Sequence, residues 1–165
     1  MAAIRVGFLA LQEPGLSPGQ RYRVEAFLPA LAARGISVRY DWVLDRQDLL
    51  VFYGPASASR KAAVAAKAFG RRTRSLARAG DVDVWLVQRE AFFLGNQWGE
   101  WLASRRAPVI YDFDDAVWIR AVSAANSRYS WLKNVDKIPR IVGLADTVLA
   151  GNAYLAAWSP SARRS

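Results

Sequence analysis

The chain has 165 residues, 53% of them hydrophobic, and 23 Lys and Arg face 14 Asp and Glu for a formal charge of +9. That length suits one ordinary domain, and the apolar content excludes a disordered polymer. There is no cysteine and no histidine, which excludes disulfides, thiolate and histidine metal sites, and His-based acid–base or triad chemistry. The charge favours anionic partners such as nucleic acid, nucleotide phosphates or acidic lipid heads. The abundance of Arg and Ala equally fits a GC-rich genome. No apolar run approaches the roughly 20 residues that cross a bilayer. The N-terminus, broken by Arg5, lacks the pattern of a secretory leader. A cytoplasmic location is expected.

Ile4, Val6, Phe8 and Leu9 lie in a short apolar run bounded by turn residues, the pattern of a buried parallel strand. A loop over 12–20 carries Pro14, Gly15, Pro18 and Gly19. Val24, Phe27, Leu28 and Leu31 then recur at helical spacing. Pro29 predicts a kink in that helix and Gly35 its end. A second strand is predicted over 36–42, and a strongly basic helix over 55–79. A third strand follows over 82–87, a helix over 92–104, and a fourth strand over 108–113. A helix interrupted by Pro139 is predicted over 130–144, and a fifth strand over 147–150. Asn152 is placed to cap a last helix. The final stretch, 159–165, continues no pattern and is expected to be disordered.

Strands alternating with helices predict an α/β domain with a Rossmann-like, doubly wound, mainly parallel five-stranded sheet and helices on both faces. Such sheets bind ligands at the carboxyl ends of their strands. Four stretches could carry chemistry. The first is the loop at Gly19 with Arg21 and Arg23, where backbone amides and guanidiniums suit phosphate or carboxylate; solvated arginines on a surface loop are the plainer alternative. The second is YDFDDAVW, which gathers Asp112, Asp114 and Asp115 at the end of the fourth strand. Carboxylates there can accept sugar hydroxyls, hold a cation or act as a general base. Capping by Asp114 or Asp115 is the alternative. The third is GNAYL, where Asn152 either caps a helix or presents its amide to a ligand. The fourth holds Arg60, Lys61, Lys67, Arg71, Arg72, Arg74 and Arg78 with no acidic residue between them. Such a helix can lie on an anionic membrane, touch nucleic-acid phosphates, or be a solvated surface helix.

Taken in order, SPGQRYRVEAFLPALAARGISV, VWLVQRE, PVIYDFDDAVW and LADTVLAGNAYLAAW resemble the N-terminal, acceptor-side domain of GT-B glycosyltransferases. The likeness is to the retaining group that acts on polysaccharide, glycolipid and cell-envelope acceptors, and it covers residues 4–158. It implies a domain over 1–158 that binds the acceptor, and a second domain, beyond residue 165, that binds the nucleotide-sugar. It further implies that Gly19 approaches the donor phosphates and that Arg21 and Arg23 line the cleft. Arg89 and Asp112 would contact substrate, with Asp114 and Asp115 beside the reacting sugar and acceptor. Asn152 would stand near the hinge. Acidic residues occupy the place where many relatives carry a histidine. Front-face transfer in this group needs no cofactor and often no metal, the nucleotide-sugar being a substrate. The resemblance implies a truncated or split enzyme with little transferase activity in the chain alone. The basic stretch over 60–78 adds the expectation of a peripheral place at the inner face of a membrane. Two other classes fit less: a receiver-like binding module, which would place an acidic pair after the first strand, and a nucleic-acid-binding domain, for which no recognition module is present.

Overall fold

The computed structural model describes residues 3–119, 134 and 136–162. Five strands form one all-parallel sheet among the described residues: β1 (Ile4–Leu9), β2 (Ile36–Asp41), β3 (Val84–Gln88), β4 (Val109–Phe113) and β5 (Thr147–Ala150), in the order β2-β1-β3-β4-β5. The strand order turns about the boundary between β1 and β3. In open α/β sheets that boundary is where the crevice for a ligand opens, at the carboxyl ends of the strands.

Strand alternation sorts the core into two faces. Leu9, Trp85, Val87, Val109, Tyr111 and Phe113 face one way. They are covered by α4 (Ala58–Ala77), α5 (Trp98–Ser104), α6 (Lys137–Leu144) and α7 (Ala153–Ala162), which supply Leu76, Ala103, Ile138, Ile141 and Leu155. Phe8 and Leu86 face the other way, toward Val24 and Leu28. The expected α/β sheet with helices on both faces is therefore present. A third cluster joins Val43, Leu44, Val64, Ala68, Phe92 and Phe93 above the strand ends.

Several elements differ from expectation. The helix predicted through Val24 and Leu31 is three pieces: α1 (Pro18–Arg23), a 3-10 turn (Glu25–Phe27) and α2 (Leu28–Ala33). Pro29 has no N–H for the carbonyl of Glu25, four residues back, so Leu28 donates to it in a tighter turn. The break thus falls before the proline, and Phe27 is exposed. Gly35 ends α2 as predicted, with a left-handed φ of 74°. The segment 92–97 is not helical. Gly95 turns left-handed there (φ 74°), and the helix begins only at Trp98. Pro139 sits in the first turn of α6, where its missing N–H costs nothing, so it interrupts no helix. The earlier part of that prediction, 130–133 and 135, lies outside the described residues. The predicted strand 82–87 is shifted to Val84–Gln88. Helix α3 (Arg46–Tyr53) was not foreseen; a reciprocal capping box between Asp45 and Asp48 starts it. Of the stretch 159–165, α7 takes in the part up to Ala162, and 163–165 lie outside the described residues. No described helix is long and apolar enough to cross a membrane.

Candidate functional site

The register places Gln88, the last residue of β3, beside Asp112, the last but one of β4, each the polar residue of an otherwise apolar strand. Both are buried, with 5% and 3% exposure. Period two puts them on the face of Leu86, under α1. Arg23, from the end of α1, reaches across and holds Asp112 with its Nε, 3.0 Å from Oδ1 and 2.7 Å from Oδ2, and with Nη2 in close contact with Oδ1. Asp112 raises the Arg23 pKa through this charged fork, against the opposing effect of burial.

Directly after β3, Arg89 takes φ 63°, a left-handed conformation rare for a side-chain-bearing residue. The turn is held at both ends. Arg89 N–H donates to the Asp112 carbonyl at 2.8 Å, and the Tyr111 hydroxyl donates to the Arg89 carbonyl at 2.7 Å. Burial raises the Tyr111 pKa well above its ordinary value, so the hydroxyl keeps the proton it donates. So aimed, the Arg89 guanidinium donates from Nε to Asp114 Oδ1 at 3.0 Å and closes on Asp115 through Nη2.

Two glycines flank Asp114. A Cβ on Gly19 would stand 3.3 Å from Asp114 Oδ2 and 3.4 Å from Gln88 Nε2. One on Gly151, just after β5, would stand 3.0 Å from Asp114 Cα. At both points the backbone comes closer to Asp114 than a side chain would comfortably allow.

Of the residues singled out from sequence, Gly19, Arg23, Arg89, Asp112, Asp114 and Asp115 come together. Arg21 does not join them. It is exposed and lies over the Tyr22 ring at 5.8 Å. Asn152 is used as a cap, its Oδ1 accepting from Leu155 N–H at 2.9 Å. Neither grouped arginine is idle, since each holds a carboxylate. Sequence reasoning missed Gln88 and Gly151. Gln88 carried a signal: it is polar, two residues after Leu86, and so stands at a position facing inward.

The ends of β1, β2 and β3 are tied from below. Arg72 of α4 is fully buried and donates to the carbonyls of Ala10 (2.6 Å), Ala91 (2.7 Å) and Asp41 (3.0 Å). Burial lowers its pKa to about 10, still well above neutral pH. Lys137, also buried, donates to the Phe92 carbonyl at 2.6 Å and pairs with Glu90 at 2.8 Å. The basic stretch is therefore largely structural. Lys61 and Arg72 are buried, and Lys67 and Arg71 pair with Asp45 and Asp48. Arg60, Arg74 and Arg78 are the remainder and are exposed, as is Lys67 despite its ion pairs.

Strand β1 leads into Ala10, Leu11 and Gln12, with no carboxylate among them. The described residues gather no group of His, Cys, Asp and Glu with the makings of a metal site. No protein-family model, curated protein or solved structure matches the chain.

Proposed function

We propose that this chain is the acceptor-side domain of a GT-B-type glycosyltransferase, and that the carboxyl edge of its sheet forms one wall of a sugar-transfer cleft. One observation carries the reading. The four stretches on which the resemblance rests lie far apart in sequence, yet each sends a residue to one spot: Gly19 and Arg23, Gln88 and Arg89, Asp112 and Asp114, and Gly151. In this reading Asp114 faces the acceptor. Its Oδ1 is committed to Arg89, and its Oδ2 accepts no hydrogen bond among the described residues. Oδ2 is thus the atom available to orient an attacking hydroxyl. Arg23 and Arg89, both neutralised by carboxylates, shape the wall. The donor diphosphate would be held by the second domain that the family places across the cleft.

The receiver-like alternative shares the strand order, but this chain carries no acidic pair at the end of β1. Acetyl phosphate with magnesium should leave the chain unmodified.

A glycan and glycolipid array tests the reading. Selective binding to a subset of glycans, lost in Asp114→Ala, supports an acceptor domain. A blank array, or phosphorylation by acetyl phosphate, overturns it. Turnover of a panel of nucleotide-sugars by the chain alone is expected to be negligible.

A further inference from the structure

We infer that Glu100 works as a proton-operated latch on the turn that carries Arg89. Neutral, it holds the loop 89–92 closed; ionised, it favours opening of that loop and release of Arg89 from Asp114 and Asp115. The inference concerns the geometry of the site and does not depend on sugar transfer.

Glu100 stands in the first turn of α5, 1% exposed, and its Oε1 accepts from Ala91 N–H at 2.6 Å. Its Oε2 is buried with no hydrogen-bond partner among the described residues. A carboxylate so placed has lost its hydration and regained little. With a proton it leaves only a dry hydroxyl, which costs far less than a dry charge.

Four titratable groups surround it. Lys137 of α6 and Arg72 of α4 favour its charge, but neither is its direct partner. Lys137 is bound to Glu90 and the Phe92 carbonyl, and Arg72 to backbone carbonyls. Glu90, in the loop itself, opposes a second negative charge. The Tyr111 hydroxyl of β4 keeps its proton and donates it to the Arg89 carbonyl. Burial pushes the Glu100 pKa up; Ala91 N–H and Lys137 pull against it, and Glu90 adds to the rise.

The loop lies over this carboxyl. Ala91 is fully buried, and its N–H and carbonyl are both held, by Glu100 and Arg72. Opening the loop returns Glu100 to water, where its pKa is the ordinary one of about 4.3. The closed value is higher, so the closed loop binds the proton more tightly than the open one. Closure is therefore most stable below the ordinary value and weakens as pH rises through the raised one. Arg89 lies two residues before Ala91, and its left-handed turn aims the guanidinium at Asp114 and Asp115, so opening frees it.

The test is hydrogen exchange, corrected for intrinsic rates, from about pH 5 to pH 8, beside a ¹³C titration of the glutamate carboxyls. Glu100 is expected to titrate above the ordinary glutamate value. Protection at the Arg89 and Ala91 amides should fall severalfold as pH rises through that midpoint, with α7 unchanged. Glu100→Gln, which keeps the shape and cannot ionise, should raise protection at both amides severalfold at pH 7 and flatten its pH dependence. If that variant does not fold, the parent's own titration decides. The inference is overturned if Glu100 titrates at or below the ordinary value, or if protection at Ala91 is flat or rises with pH. It is also overturned if Glu100→Gln is protected no better than the parent, or if the pH dependence persists in it, which would assign the effect to Glu90 or Asp114. The glycan array bears on the acceptor-domain reading alone, so the two fail separately.

Discussion

Arg23 closes on both carboxylate oxygens of Asp112, a residue 89 positions further along the chain. The contact ties the helix after the first strand to the end of the fourth. Asp112 is almost wholly buried, so removing its partner strands a charge. Arg23→Met is expected to cost about 3 kcal/mol of folding stability, as for other broken buried pairs. Arg23→Met combined with Asp112→Leu should cost less than Arg23→Met alone, because no charge is then left unpaired. Urea unfolding of the two variants measures both. Equal losses would show that the fork contributes through packing and not through charge.

Asp45 starts α3 and pairs with Lys67 and Arg71. The hydrogen bond from Lys67, with further ones from the Asp48 backbone and from Arg71, holds its pKa well below the ordinary carboxyl value; burial opposes this. Folded, Asp45 then binds fewer protons than it does unfolded. Its stabilisation is present above about pH 4 and is lost as pH falls through the depressed folded value. Asp45→Asn keeps a cap of similar quality but cannot titrate. Urea midpoints followed from pH 5 to about pH 2 should fall less steeply in the variant than in the parent. Parallel slopes would assign the acid sensitivity elsewhere.

The sheet was legible in the sequence because its strands are short apolar runs with turn residues between them, and Asp112, Asp114 and Asp115 were legible because acids interrupt such a run. The local choices were less so. Val24 to Leu31 keeps helical spacing, yet the loss of one N–H at Pro29 splits the segment, an effect that periodicity does not register. Phe92 and Phe93 read as the start of a helix but belong to a loop held by Arg72, Lys137 and Glu100, residues 8 to 45 positions away. The basic run 60–78 looked like a surface feature because charge normally seeks water. Arg72 breaks that rule by finding three carbonyls at and just beyond the strand ends, and no pattern in its own helix marks them.

Gly7, in the middle of β1, lies under Trp85 of β3. A Cβ there would stand 2.4 Å from Trp85 Cζ3 and 2.9 Å from Val82 Cγ1. The indole is fully buried and cannot swing away. Gly7→Ala is expected to destabilise by about 1–3 kcal/mol, the usual scale of overpacking. Adding Trp85→Leu removes the ring edge that the methyl strikes. In a double-mutant cycle read by thermal unfolding, the pair should cost less than the sum of the two single changes. Strict additivity would mean that β1 shifts to absorb the methyl.

Arg72 does the work of three separate caps. Its guanidinium donates to Ala10, Asp41 and Ala91, so the ends of three neighbouring strands share one donor group. No carboxylate pairs with it among the described residues. The three carbonyl dipoles, helped by the charges of Asp41 and Glu100, offset the burial of the cation. Arg72→Met keeps the length and apolar stem but takes the guanidinium donor from the Ala10 and Ala91 carbonyls, the Asp41 carbonyl still accepting from Ala10 N–H, and is expected to cost about 3 kcal/mol or more. Arg72→Lys keeps the charge but not the planar fork, and should recover only part of the loss. Hydrogen exchange localises the effect. Faster exchange at Arg89 and Ala91, whose amides hold the turn after β3, is expected in Arg72→Met, with α7 little changed. A loss spread evenly over the chain would make Arg72 a general core residue and not the tie that fixes the strand ends.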